Sequence, residues 1–122
     1  MKKLRILLVD DHPQFINAMK FILTDSFMDK IESIDIANNG EECLEVLEKK
    51  LIDLIFMDID MPVMNGIEAT KIATATYRDI KIIALSFHTD MKYIIKMIEA
   101  GARSYIIKEE INRDALVSVF GS

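Results

Sequence analysis

The apolar positions of this chain fall in short blocks, separated by longer stretches with helical spacing. The first block, Leu4-Arg5-Ile6-Leu7-Leu8-Val9, stops on Asp10-Asp11. Pro13 then suits the first turn of a helix capped by Asp11 or His12, with Phe15, Met19, Ile22 and Leu23 on one face. Residues 31–37 set Ile31, Ser33, Asp35 and Ala37 against Glu32, Ile34 and Ile36, which predicts a second, less apolar strand. Asn38-Asn39-Gly40 reads as a turn before a helix over 41–50, whose inner stripe is Leu44, Leu47 and Leu51. The third block runs from Asp53 to Asp58 and is soon followed by Pro62, as a short buried strand would be. Asn65-Gly66 has the form of a hairpin turn, but residues 67–75 place Glu, Ala, Lys and Ile at helical spacing, so a helix is expected. A fourth strand over 81–85 ends on Ser86. A helix from Asp90 to Ala100 follows, with Gly101 as its left-handed C-cap, and a fifth strand over 103–107 ends on Lys108. The last helix starts near Asn112 and has hardly two turns before Gly121-Ser122, so the chain reads as a piece cut inside or just after that helix.

Five strands alternating with helices predict an α/β fold, a parallel sheet covered on both faces. Nothing resembling a repeat or linker divides residues 1–122, so one domain is expected. Composition narrows the class: 51% hydrophobic and 29% charged residues describe a globular chain. At net charge −5, with no basic block beyond Lys2-Lys3 and Lys49-Lys50, the domain is not expected to bind nucleic acid. The single Cys43 cannot form an internal disulfide and reads as a buried thiol in a reducing compartment. The first apolar block is too short for a signal peptide and no segment is long enough to span a membrane, so a cytoplasmic domain is expected.

A parallel sheet brings the carboxyl ends of all its strands to one edge, where open α/β folds place their chemistry. Those ends are Asp10 and Asp11, Asp58, Ser86 and Lys108. Each alone is ordinary: a helix cap, a turn hydroxyl, a solvated lysine. Together they predict three carboxylates, a hydroxyl and an ammonium in one crevice. Carboxylates held this close need a divalent cation or an ammonium to stay ionised. Oxygen-only ligands favour Mg²⁺ or Mn²⁺, with positions left for phosphoryl oxygens. A carboxylate there can attack phosphorus and form an acyl phosphate, while Lys108 and Ser86 stabilise the transferring group.

At these residues the chain resembles the receiver domains of two-component response regulators over essentially its whole length. The resemblance lies in Leu7-Leu8-Val9-Asp10-Asp11-His12-Pro13, Met57-Asp58-Ile59-Asp60-Met61-Pro62-Val63-Met64-Asn65-Gly66, Ala84-Leu85-Ser86 and Gly101-Ala102-Arg103-Ser104-Tyr105-Ile106-Ile107-Lys108. It implies a flavodoxin-like (βα)5 three-layer sandwich with strand order 2-1-3-4-5. It also implies that Asp58 accepts a phosphoryl group from a sensor histidine kinase or phosphotransfer protein. Asp11, Asp58 and the backbone carbonyl of Asp60 would hold Mg²⁺, with Asp10 acting through a water. Lys108 would pair with the phosphoryl oxygens, Ser86 would hydrogen-bond to one of them, and Tyr105 would be the aromatic switch. Asp-Asp-His-Pro at residues 10–13 and Lys108-Glu109 are similar to receivers carrying a LuxR-type output domain, which implies a transcriptional output domain absent from this chain. Many receivers have proline after the lysine and a cis bond before it. With Glu109 such a bond would cost roughly 3 kcal/mol. Phe87 stands where many receivers have a small residue, and would narrow access to the pocket.

The mechanism expected from these residues is a switch rather than a turnover enzyme. Phosphorylation of Asp58 draws Ser86 in, Tyr105 turns into the space vacated, and the helix 4–strand 5–helix 5 face changes shape. On the 90–100 helix, Met91, Ile94, Ile95 and Ile98 read as the core stripe. Tyr93 and Met97 add a second apolar strip, which is either more core or a surface for homodimerisation or output docking. Three other functions are weighed against this. A haloacid-dehalogenase-type phosphatase shares Asp58-Ile59-Asp60, but its motif continues differently from Pro62 and lies on a first strand. A receiver-like docking module that takes no phosphate would not need the intact set Asp11, Asp58, Ser86 and Lys108. A flavin- or nucleotide-binding domain would need a glycine-rich phosphate loop, which no strand here leads into.

Overall fold

The computed structural model describes residues 2–87 and 91–120. Five strands, β1 (Leu4–Val9), β2 (Ile31–Ala37), β3 (Leu54–Asp58), β4 (Lys81–Ser86) and β5 (Ser104–Ile107), alternate with helices. The helices are α1 (Pro13–Ser26), α2 (Gly40–Lys49), α3 (Gly66–Thr76), α4 (Met91–Ala100) and α5 (Arg113–Val117). All strand pairs are parallel, in the order β2-β1-β3-β4-β5. The expected start of α4 at Asp90 and the terminal Gly121-Ser122 lie outside the described residues.

β3 is apolar up to its last residue, Asp58, because it is central and covered on both faces. Leu54 and Phe56 face one core with Ile16, Met19 and Leu23 of α1 and Leu116 of α5. Ile55 and Met57 face the other, with Cys43 and Leu47 of α2, Ala69 and Ala73 of α3 and Met97 of α4. These are the two faces of a three-layer sandwich. β2 is an edge strand, so its Glu32 and Ile36 are exposed.

Three asparagines start helices by the same device. The side-chain oxygens of Asn39, Asn65 and Asn112 accept the backbone N–H of Glu42, Glu68 and Ala115, each at 2.9 Å. Asn38-Asn39-Gly40 is therefore a helix entry, with Gly40 the first residue of α2. Asn65-Gly66 likewise opens α3 and makes no hairpin. At Gly66 an added Cβ would lie 2.0 Å from the Asp58 carbonyl oxygen, so only glycine lets α3 begin against the end of β3. Gly101 ends α4 at φ +123°, the conformation its place after Ala100 predicts.

Two stripes differ from the sequence expectation. Leu51 lies beyond the end of α2 and is exposed; the helix stops at Lys49 and buries the expected Leu47 together with Cys43, with Leu44 partly buried. In α4 the core line is Ile94, Met97 and Ala100, while Met91, Ile95 and Ile98 are exposed. The helix carries two apolar strips of similar strength, and periodicity does not choose between them. The small residues of α3 choose: Met97 seats its sulfur 3.9 Å from Thr70 Oγ1, and Thr74 Oγ1 donates to the Ala100 carbonyl at 2.9 Å. That contact turns the line of residues 91, 95 and 98 outward.

Replacing Gly66 with alanine forces the α3 entry away from Asp58. We expect Gly66→Ala to lower unfolding stability by about 3 kcal/mol, measured by urea denaturation. A loss below about 0.5 kcal/mol contradicts the close approach.

Candidate functional site

The parallel topology brings the predicted residues to one edge of the sheet. Asp10 follows β1, Asp58 and Ser86 end β3 and β4, and Lys108 follows β5. In β3 and β4, Asp58 is in register with Leu85; in β4 and β5, Ser86 is in register with Ile107. Asp10, Asp58 and Lys108 are only 1%, 3% and 2% exposed. Charged side chains are almost never this buried unless paired. Lys108 Nζ lies 2.5 Å from Asp10 Oδ2 and 3.3 Å from Asp58 Oδ1. Its ammonium also sits 4.7 Å from the ring centroids of both Phe15 and Phe87. The lysine is thus fixed between two carboxylates and two aromatic faces.

This pairing does not balance the charge. Asp11 stands at the rim, exposed, and adds a third carboxylate. Burial, and then the neighbouring Asp10 charge, push the Asp58 carboxyl up to about 6; Lys108 and His12 pull it back only in part. Asp58 Oδ2 is buried and accepts no hydrogen bond. Asp10 Oδ2 is in ion-pair contact with Lys108, although the approach lacks the angle of a hydrogen bond.

His12 entered the sequence reading as a possible cap and as part of the Asp-Asp-His-Pro stretch, but not as a site residue. It does precede α1 as N-cap, but its side chain makes no capping hydrogen bond. Its backbone N–H donates to Asp10 Oδ1 at 2.9 Å, and its Nδ1 lies 2.8 Å from the same oxygen. The same nitrogen is 3.3 Å from Asp11 Oδ1 and 3.8 Å from Asp58 Oδ2. The signal available in the sequence was an imidazole directly after two strand-end carboxylates. Ligand atoms of Asp10, Asp11, His12 and Asp58 all lie within 4.8 Å of one another. An excess of hard oxygen donors, with an orphaned buried carboxylate oxygen among them, fits a small divalent cation.

The other expected residues take up distinct positions. Ser86 is buried at the end of β4. Asp60 is exposed in the loop after β3. That loop contains Val63 at φ +69°, with Met64 N–H donating to the Pro62 carbonyl at 2.7 Å, a strained γ-turn. Tyr105 is exposed on β5, in register with Ala84. The Lys108–Glu109 bond is trans and opens a 3-10 turn over Lys108–Glu110. Among the described residues no helix is long and apolar enough to cross a membrane.

Comparison with known proteins gives the same arrangement a context. A family model described as the response regulator receiver domain matches residues 6–120. The transcriptional regulatory protein DegU of Brevibacillus brevis is 37% identical over 115 residues, 94% of this chain and 48% of DegU. A LuxR-family two-component response regulator from Aurantimonas sp. SI85-9A1 superimposes with TM-score 0.80 at 26% identity, covering 96% of this chain and 81% of that one. TrrA of Thermotoga maritima, solved in complex with Mg²⁺-BeF, has TM-score 0.80 at 33% identity and covers 98% of this chain and 96% of its own. The chain spans about half the length of the curated relatives it matches.

The raised Asp58 carboxyl carries a stability consequence without divalent cations. The folded state holds this proton more tightly than the unfolded chain does, so the stabilisation is complete below about pH 4 and is lost as pH rises through about 6. We expect the stability difference between wild type and Asp58→Asn to move against wild type by on the order of 3 kcal/mol across that window. Urea melts of both proteins in a chelator from pH 4 to 7.5 measure it. A difference independent of pH contradicts the burial-driven shift.

Proposed function

The chain belongs to the response regulator receiver domain family, and from that premise we propose that it is a phosphorylation-controlled switch with Asp58 as phosphoacceptor. The observation that carries the assignment is the buried Asp58 carboxylate, held 3.3 Å from Lys108 on one oxygen and left without a hydrogen bond on the other. The free oxygen is the nucleophile. It forms a bond to phosphorus as the P–N bond of a donor phosphohistidine breaks, leaving the donor imidazole and an aspartyl phosphate. Asp11, Asp58 and the Asp60 backbone carbonyl would hold Mg²⁺ or Mn²⁺, with Asp10 acting through a water, and the bound ion would neutralise charge on the transferring group. Lys108 is positioned by Asp10 and Phe15 so that its ammonium can pass from the Asp58 carboxylate to the phosphoryl oxygens. Ser86 donates a hydrogen bond to the same group.

The donor in this reading is a sensor histidine kinase or a phosphotransfer protein. The domain covers residues 1–122, and the full-length chain carries an output domain, transcriptional in kind, that binds any DNA. The domain acts in the cytoplasm and turns over no substrate. Its signal leaves through the α4–β5–α5 face. Exposed Met91, Ile95, Ile98 and Tyr105 support a surface there for a phosphorylation-dependent homodimer or for output docking.

Incubation with Mg²⁺ and either an acyl-phosphate donor or a cognate kinase should add one phosphoryl group by intact mass, and Asp58→Asn should abolish it. Phe87 beside Lys108 should make the small donor slow. Repeated hydrolysis of phosphate esters would support a phosphatase instead, and no modification from a kinase would support a docking module. Tyr105→Ala should remove phosphorylation-dependent dimerisation in sedimentation while leaving phosphorylation intact; an unchanged dimer excludes Tyr105 as the switch.

A further inference from the structure

We propose that His12 supplies a nitrogen ligand to the carboxylate cluster, so that the site prefers first-row transition ions such as Mn²⁺, Co²⁺ and Ni²⁺ over Mg²⁺. The proposal rests on the reading of this cluster as a divalent-cation site, and adds a donor that reading does not contain. Every polar contact described for the ring is made through Nδ1, which faces Asp10, Asp11, Asp58 and Lys108. The residue is held at its backbone and at its ring. The His12 backbone N–H is bonded to Asp10 Oδ1, and the imidazole stands edge-on to Phe87 with centroids 5.8 Å apart at 86°.

The separations suit shared ligation. Donors around one ion with bonds of about 2.1 Å lie about 3 Å apart when adjacent and about 4 Å apart when opposite. Nδ1 lies 2.8, 3.3 and 3.8 Å from oxygens of Asp10, Asp11 and Asp58. The last of these, Asp58 Oδ2, is buried and without a hydrogen bond, so an unsatisfied anion faces the same point as the imidazole nitrogen. Mg²⁺ gains little from a nitrogen donor and is served by the oxygens and water. Imidazole suits the later first-row ions, whose affinities rise from Mn²⁺ to Ni²⁺. The competing role for His12 is a counter-charge that leaves when any ion enters, and it predicts the opposite response for Mg²⁺.

Isothermal titration of the whole chain with MgCl₂ and with NiCl₂ separates these. His88, the only other histidine, is replaced by alanine throughout so that it cannot bind Ni²⁺. His12→Ala is expected to weaken Ni²⁺ by about tenfold or more and to leave Mg²⁺ within about twofold. Asp11→Asn should weaken both ions. An equal Ni²⁺ to Mg²⁺ affinity ratio with and without His12, or tighter Mg²⁺ binding with Ni²⁺ unchanged, overturns the ligand role while leaving the cation site standing. Weakening of Mg²⁺ alone by Asp11→Asn puts Ni²⁺ elsewhere and also overturns it. No Mg²⁺ binding to the chain with His12 present overturns the cation reading itself and this assignment with it.

Discussion

One buried ammonium organises the working end of this molecule. Lys108 is nearly inaccessible, and such a charge is tolerated only with partners. Asp10 and Asp58 supply the countercharge from two other strands, and Phe15 and Phe87 close two aromatic faces over it. Removing either carboxylate leaves a buried charge short of a partner, so the ends of β1, β3 and β5 are electrostatically interdependent. The same arrangement leaves the cluster with more carboxylates than cations. That deficit raises the Asp58 proton affinity and creates the demand for a further positive group.

The backbone around Asp58 serves the same end. Gly66 allows α3 to start in contact with the Asp58 carbonyl, and its N–H is bonded to Ile59 O at 2.8 Å. Gly40 N–H reaches the Met64 carbonyl at 2.9 Å, tying the entry of α2 to the strained loop that holds Val63. These backbone contacts fix the main chain around Asp58 independently of the charge on its side chain. The α4 side is built differently: α4 is anchored through Met97 and Thr74, while Met91, Ile95, Ile98 and Tyr105 are exposed.

Much of this was legible in the sequence. Five apolar blocks and the residues that stop them were enough to place the strands and to gather Asp10, Asp11, Asp58, Ser86 and Lys108 at one edge, because parallel topology converts sequence punctuation into spatial proximity. Asn65-Gly66 was resolved correctly by the helical spacing after it. The helix faces were less legible. Leu51 continued a periodic stripe that the helix itself did not continue, and α4 offered two strips between which only Thr70 and the other small residues of α3 decide. His12 was missed as a member of the site because a residue beside a proline reads as a cap. Its ring meets Asp10 close by in sequence and also Phe87, seventy-five positions later in the chain, a contact no local pattern encodes.

Among the carboxylates gathered at this edge, Asp58 alone is proposed to form the phosphoryl bond. Borohydride reduction of the phosphorylated chain converts the modified aspartate to homoserine, and peptide mass mapping then locates it. Homoserine is expected at position 58 and nowhere else. Homoserine at Asp10, Asp11 or Asp60 with Asp58 unmodified contradicts it.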